Sequence, residues 1–210
     1  MKWTACPVGP IQANCYVLED EQTKEAIIID PGSEMDTIHS VIDKKKLRPL
    51  AVLLTHAHFD HIGALEPVRD HWKIPAYLHQ NEADWLQDPN KNGSALFSMV
   101  EAFHDRPAEH LLSHEQSLEI GPFSFEVLET PGHSPGGVSY YFKSTNVVFC
   151  GDALFNGSIG RTDGFGGDRV QLIQSITEKL LTLPAETVVC PGHGFTTTIG
   201  HELETNPFLI

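Results

Sequence analysis

Four apolar segments of this chain each end in a turn that carries histidine or aspartate, and this repeated arrangement limits the fold more than any other feature. The segments are short and mostly apolar, which is typical of buried strands. The turns carry His56 to His61, His133, Asp152 and His193. Because strand ends are held rigidly while their loops stay open to solvent, we expect one site at the edge of a sheet.

The remaining pattern predicts strands and helices in one continuous domain over residues 1–210, since the sequence shows no repeat, linker or low-complexity tract. Strands are predicted at 14–18, 26–29, 50–54, 75–78, 123–128, 137–142, 147–150 and 187–190. Helices are predicted around 38–42, from Ile62 to about Trp72, and from Asp168, where Gln171 three residues on indicates a capped start. Residues 81–120 mix helical and irregular patterns and give no reliable boundaries.

Composition excludes several classes of protein. The formal net charge is −14, which repels phosphate backbones, so we expect no nucleic-acid partner. No segment approaches the roughly 18 to 20 apolar residues of a membrane helix. The four cysteines show no Cys-x-x-Cys spacing and do not resemble a disulfide framework. We therefore expect a cytoplasmic protein that acts on a small molecule, and nothing in the sequence indicates a homo-oligomer.

The segment after the third predicted strand places four potential metal ligands within six residues: His56, His58, Asp60 and His61. Imidazole nitrogen and carboxylate oxygen are the usual ligands of catalytic zinc, and also of iron and manganese. One tetrahedral ion with an open position rarely takes four ligands from one short segment. We therefore expect His56 and His58 to face one metal, and Asp60 and His61 to face a second. Ordinary polar loop residues are the alternative interpretation.

These motifs resemble those of the metallo-β-lactamase superfamily. The resemblance rests on Thr-His-Ala-His-Phe-Asp-His at 55–61, Thr-Pro-Gly-His at 130–133, Gly-Asp at 151–152 and Pro-Gly-His-Gly at 191–194. It covers essentially the whole chain in order and spacing. The fold that it implies is an αββα four-layer sandwich, in which two mixed β-sheets are flanked by helices and metals lie at one edge.

The resemblance also implies a ligand set. One metal would be bound by His56, His58 and His133. The other would be bound by Asp60, His61 and His193, with Asp152 bridging the two.

Two zinc ions are the expected cofactor, with iron or manganese as alternatives. Ions roughly 3.5 to 4 Å apart share a bridging hydroxide at neutral pH, which Asp60 would orient for attack.

Within this superfamily the chain is most similar to the glyoxalase II group, which hydrolyses hydroxyacyl thioesters of a low-molecular-weight thiol. The similarity rests on Asp-Ala-Leu-Phe at 152–155 and Gly-Arg-Thr-Asp at 160–163. It implies that Arg161 and Phe155 contact the substrate, although a loop salt bridge is the alternative for Arg161. The chain ends soon after His193, without the C-terminal helical domain that supplies much of the glutathione site in that group. Another thiol is therefore an alternative to glutathione.

Other reactions remain open at this stage. Persulfide dioxygenases share the fold and the Gly-Arg-Thr-Asp turn, and they resemble mononuclear iron oxygenases; the corresponding ligands here would be His56, His133 and Asp152. β-Lactam hydrolysis is less favoured, because many β-lactamases of this fold have cysteine where Asp152 stands. Nuclease members usually need a further domain. A non-catalytic metal-binding module is the last alternative.

Overall fold

The computed structural model describes residues 1–209, and the chain divides into two units. Unit 1 comprises Met1–Ser113 and Glu119–Phe123, and unit 2 comprises His114–Leu118 and the chain from Ser124 onward. Each unit is built around a six-stranded mixed sheet. The predicted fold class, with two mixed sheets flanked by helices, is confirmed. The prediction of a single domain stays a prediction.

The sheet of unit 1 contains strands in the order β1 to β6. Their bounds are β1 Lys2–Val8, β2 Ala13–Glu19, β3 Glu25–Ile29, β4 Arg48–Leu53, β5 Ala76–His79 and β6 His110–Leu112. The first three pair antiparallel, whereas β3, β4, β5 and β6 pair in parallel. Residues 27–29 of β3 are all buried, as expected for a strand that is covered on both faces.

Three helices accompany this sheet: α1 Met35–Lys45, α2 Phe59–Ile62 and α3 Leu65–Trp72. The sequence predicted one helix from Ile62 to Trp72, but the structure has a break at Gly63 and Ala64. A Cβ atom on Gly63 would lie 2.4 Å from the Gly32 carbonyl oxygen, so the chain approaches that turn too closely for any larger residue. The Ala64 N–H donates to the Pro31 carbonyl oxygen at 2.9 Å, and this contact fixes the break.

Residues 81–120, which gave no boundaries from sequence, hold short elements. Three single-turn 3₁₀ helices occur at Gln80–Glu82, Trp85–Gln87 and Ser94–Leu96, followed by β6 and by β7 at Gln116–Ile120. Segments this short carry too little periodicity to be recognised from sequence. Within residues 1–209, no helix combines the length and the apolar character needed to cross a membrane.

The second sheet has the strand order β14-β13-β10-β9-β8-β7. The bounds of its other strands are β8 Phe123–Glu129, β9 Val138–Phe142, β10 Val147–Gly151, β13 Val188–Pro191 and β14 Thr197–Thr198. A separate hairpin is formed by β11 Leu154–Phe155 and β12 Ser158–Ile159. Because β9 is antiparallel to both β8 and β10, and β13 is parallel to β10, three strands share one direction. The carboxyl ends of β8, β10 and β13 therefore lie at the same edge.

Two helices belong to unit 2: α4 Arg169–Ser175, which continues into a π-helical turn at Ile176–Leu180, and α5 Ile199–Thr205. The predicted cap of α4 is confirmed, since the Asp168 side chain accepts the Gln171 N–H at 3.0 Å. Leu172, Ile176 and Leu180 are completely buried on the apolar face.

Candidate metal centre

In unit 1, three neighbouring parallel strands deliver acidic or imidazole side chains to one edge of the sheet. Asp30 follows β3, His56 follows β4 after two residues, and Glu82 lies one 3₁₀ turn after β5. All three side chains are buried. Carboxyl ends of adjacent parallel strands are the usual place for ligand binding in such sheets. This edge of the sheet therefore carries three buried side chains of types that can bind metal or support a metal ligand.

The predicted ligands of unit 1 lie together at this edge. The ring centroid of His56 is 4.7 Å from that of His58 and 4.2 Å from that of His61. Asp60 Oδ2 lies 3.3 Å from His61 Nε2. His58 forms the N-cap position of α2, and the short helix then presents Asp60 and His61. The structure thus brings together all four ligands that the sequence predicted in this unit.

Asp30, which the sequence analysis did not single out, organises this group. Its carboxylate accepts hydrogen bonds from the Thr55 N–H at 2.7 Å and the Thr55 hydroxyl at 2.6 Å. It also lies 3.0 Å from His61 Nδ1. An ionised carboxylate can only accept, so Nδ1 carries the proton and Nε2 of His61 offers a lone pair. Asp30 therefore fixes the tautomer that a metal ligand requires.

Glu82 is the second buried carboxylate that the sequence analysis missed. Its Oε2 accepts the Ala57 N–H at 2.6 Å, and the residue has no exposed surface. Ala57 is the residue between His56 and His58, so this bond holds the extended backbone from which both rings project. Charge-assisted bonds of this kind are short and comparatively strong.

In unit 2, the three predicted ligands come from three separate strands that share one direction. His133 follows β8 by four residues, Asp152 follows β10 directly, and His193 lies two residues after β13. The ends of β10 and β13 are joined by the Gly192 N–H, which donates to the Gly151 carbonyl oxygen at 2.7 Å. Topology therefore gathers residues that are 60 positions apart in sequence, from 133 to 193.

Asp152 is the centre of this second group. Its Oδ2 atom lies 3.6 Å from Nε2 of His133 and 3.6 Å from Nε2 of His193. These separations are too long for hydrogen bonds. They are close to the separation of about 3.4 Å between two donor atoms on one tetrahedral ion with metal–ligand distances of about 2.0 to 2.1 Å. The spacing and the donor types therefore fit a divalent metal.

The His133 ring is oriented by a backbone carbonyl. Its Nδ1 lies 2.7 Å from the Arg161 carbonyl oxygen, which can only accept a hydrogen bond. The proton therefore resides on Nδ1, and Nε2 faces Asp152 with its lone pair. This is the tautomer that metal binding requires, and it parallels the role of Asp30 in unit 1.

Gly160 allows the Gly-Arg-Thr-Asp turn to approach this group closely. A Cβ atom at this position would lie 1.8 Å from the Asp152 carbonyl oxygen and 3.3 Å from Cβ of His133. No L side chain fits such a gap, so only glycine lets the turn deliver the Arg161 carbonyl to His133. This feature explains the position of the glycine in the sequence motif.

The two predicted substrate contacts also lie in unit 2. The Phe155 ring packs edge-on against His193, with ring centroids 6.1 Å apart. The exposed Arg161 guanidinium contacts Asp163 through Nε at 2.8 Å and Nη2 at 3.2 Å. This hydrogen bond raises the pKa of Arg161 and lowers the pKa of Asp163. The loop salt bridge is therefore present, and the substrate role of Arg161 stays a prediction.

Comparison with known proteins agrees with this chemistry. The family model described as the metallo-beta-lactamase superfamily matches residues 8–193. A probable metallo-hydrolase of Bacillus subtilis, YqgX, is 54% identical over 209 residues, which is 100% of this chain and 98% of the relative. The hydroxyacylglutathione hydrolase GloC of Haemophilus influenzae is 37% identical over 205 residues, which cover 97% and 95% of the two chains.

Comparison with solved structures indicates the same family. The chain is similar to the B3 metallo-beta-lactamase BLEG-1, with a TM-score of 0.96, 52% identity and 99% of each chain covered. It is similar to TTHA1623 in a di-iron-bound form, with a TM-score of 0.85, 39% identity and coverage of 98% and 100%. ETHE1 from Myxococcus xanthus gives a TM-score of 0.81 at 30% identity, with coverage of 99% and 84%. Motifs, fold and matches together place this chain in the metallo-β-lactamase superfamily, as a metal-dependent hydrolase.

Proposed function

We propose that the chain hydrolyses hydroxyacyl thioesters of a low-molecular-weight thiol, with two metal ions as cofactors. In this reaction, water adds its oxygen to the acyl carbon, the carbon–sulfur bond breaks, and the thiol leaves. The proposed set is His56, His58 and His133 for one ion, Asp60, His61 and His193 for the other, and Asp152 between them.

Zinc is the proposed metal, and iron is the alternative, since a similar structure is described as di-iron-bound. When bound, the ions supply a nucleophile at neutral pH, because they lower the pKa of coordinated water, and they polarise the carbonyl under attack.

The residues of this chain supply the geometry. Asp30 and the Arg161 carbonyl hold two imidazoles in the tautomer that exposes Nε2. Asp60 is partly exposed beside His61, and it would orient the attacking water. Phe155 provides an apolar surface next to His193 for the thioester. A thiolate leaves without protonation, so the mechanism needs no separate general acid.

One observation carries the metal-dependent part of this proposal. The Nε2 atoms of His133 and His193 both lie 3.6 Å from the same oxygen of Asp152. Two imidazoles aimed at one carboxylate oxygen, at a spacing too long for hydrogen bonds, match ligands around metal rather than a hydrogen-bond network. The choice of a thioester is supported by the match to GloC over 97% of the chain.

The test is thiol release from a lactoyl thioester by protein reconstituted with zinc, compared with metal-stripped protein. A chromogenic thiol reagent measures the product. We expect thiol release to depend on metal. We also expect the protein to bind two metal ions per chain at saturation. Equal rates with and without metal would contradict the proposal.

Persulfide oxidation is a second candidate, because the Gly-Arg-Thr-Asp turn at 160–163 resembles that of persulfide dioxygenases. It would use one iron bound by His56, His133 and Asp152, and it would consume oxygen. An oxygen electrode with glutathione persulfide separates the two candidates, since thioester hydrolysis consumes none. A single bound iron with oxygen uptake would favour this candidate.

β-Lactam hydrolysis is a third candidate, because the chain is 52% identical to BLEG-1, a B3 metallo-beta-lactamase. Asp152, where many β-lactamases of this fold have cysteine, disfavours this reaction relative to thioester hydrolysis. Hydrolysis of a chromogenic cephalosporin by the same zinc-loaded preparation measures the activity directly. A higher kcat/KM for the cephalosporin than for every thioester would replace the proposed function with this one.

A further inference from the structure

Unit 1 contains a cleft of about 260 Å³ that reaches Asp60. Its apolar walls come from three places: the turn after β1, the start of α2, and the segment after Ser94–Leu96. The residues that form these walls are Val8, Pro10, Phe59, Val100 and Phe103. The cleft therefore joins an apolar surface to a residue of the proposed metal centre.

The charges around this cleft are all negative. Among its lining residues, Asp60 and Glu101 are the charged ones, and none is lysine, arginine or histidine. Metal binding would offset the charge of Asp60. Glu101 is exposed and keeps its charge at the mouth. Such a cleft disfavours carboxylate and phosphate groups and accepts an uncharged, apolar group.

The two sides of the cleft are linked through Asn92. Its carbonyl oxygen accepts the Phe59 N–H at 2.8 Å, at the first residue of the helix that carries Asp60. Its side-chain amide donates to the Phe103 carbonyl oxygen at 3.3 Å. Asn92 is completely buried. The wall that contains Phe103 is therefore held at a defined position relative to α2, as a binding cleft requires.

We propose that this cleft binds the acyl part of the thioester, and that the preferred acyl groups are uncharged 2-hydroxyacyl groups with an apolar chain longer than the methyl of lactate. This inference rests on the proposed function and specifies its substrate class. The volume equals that of about nine water molecules at ~30 Å³ each, more than a methyl group fills. The acidic lining places the charged groups of the thiol outside the cleft.

The experiment compares thioesters of one uncharged thiol, N-acetylcysteamine, that differ only in the acyl group. The three substrates are the lactoyl, the 2-hydroxyhexanoyl and the 5-carboxy-2-hydroxypentanoyl thioesters. Each methylene that enters an apolar cleft raises kcat/KM by up to about fourfold. We expect wild-type protein to favour the hexanoyl substrate over the lactoyl by about tenfold or more, and to disfavour the carboxylated one.

Two substitutions test the assignment of the walls. Val100→Phe fills the cleft and should lower the ratio of hexanoyl to lactoyl kcat/KM by about tenfold, because a pocket rejects a chain that no longer fits. Val100→Ala should raise the same ratio. The matched control is Met99→Phe, since Met99 is the neighbouring residue, is 59% exposed and does not line the cleft. It should leave the ratio unchanged.

Charge reversal tests the mouth of the cleft independently. Glu101→Lys should raise the ratio of carboxylated to hexanoyl kcat/KM by about fivefold, and less at high salt. If the Val100 variants and the Glu101 variant shift all three substrates in parallel, the acyl group binds elsewhere and the inference is wrong. Thermal unfolding of each variant shows whether it is folded.

A binding measurement separates failure of this inference from failure of the proposed function. Calorimetric titration of metal-loaded protein with 2-hydroxyhexanamide and lactamide requires no turnover. Tighter binding of the hexanamide, lost in Val100→Phe, would support the cleft even if no thioester were hydrolysed. Equal affinity for the two amides would overturn the inference whatever the activity assays show.

Discussion

The two units position their predicted metal ligands in different ways. Unit 1 supplies four ligands from six consecutive residues, and buried carboxylates from neighbouring strands hold them. Unit 2 supplies three proposed ligands from three strand ends that meet through sheet topology. The Arg161 carbonyl oxygen orients His133, and Gly160 lets the turn that carries this carbonyl approach closely. A local cluster of ligands is visible in sequence and needs side chains to support it. A cluster built by topology is positioned by the sheet itself.

The largest expected effect comes from Asp152, on which the ligands of unit 2 converge. Asp152→Ala should lower kcat/KM at least about 10³-fold, since losing the proposed shared metal ligand would cost several kcal/mol of transition-state stabilisation. Metal analysis should find fewer ions per chain. Unchanged turnover would show that the site assignment is wrong.

The supporting carboxylate of unit 1 should have the next largest effect. Glu82→Leu should weaken metal binding about 10- to 100-fold, as loss of groups that orient ligands usually does. A chelator competition assay measures this without turnover. The matched control is Glu202→Leu in unit 2, because Glu202 is equally buried and accepts the Gly157 N–H at 3.0 Å. It should lower stability but leave metal affinity near the wild-type value.

Glycine substitutions compare the backbones of the two units. A Cβ atom on Gly32 would lie 1.7 Å from the Asp60 carbonyl oxygen, and one on Gly160 would lie 1.8 Å from that of Asp152. Gly32→Ala and Gly160→Ala should each lower the free energy of unfolding by about 1 to 3 kcal/mol, because the chain must shift to relieve the overlap. Gly164→Ala is the control, since nothing lies within 4 Å of its added Cβ. Denaturant unfolding measures all three variants.

The smallest effect is expected at His39, a histidine outside both groups. It lies on α1 and packs against Trp72, with ring centroids 5.9 Å apart. His39→Ala should leave turnover near the wild-type rate, whereas His58→Ala should abolish most of it. A loss at His39 comparable to that at His58 would show that the set of ligands is incomplete.

The sequence determined the fold class, most strand positions and the local character of the ligand motif. Alternation of apolar residues and turn signals are short-range properties, so β3, β9, β10 and the cap at Asp168 could be predicted directly. The break between α2 and α3 could not be, because it depends on the close approach of Gly63 to Gly32. That contact joins residues about thirty positions apart and leaves no local signal.

The tertiary structure alone decided which groups hold the ligands in place. Asp30 carries no local signal of its role, and Glu82 lies in a region without periodicity, yet both follow parallel strands whose carboxyl ends share an edge with His56. Their roles arise from strand order, which sequence spacing does not contain. The same holds for the Arg161 carbonyl, because a backbone atom carries no sequence identity. Ligand types are thus fixed by side-chain chemistry, whereas their orientation is fixed by contacts that only the folded sheet creates.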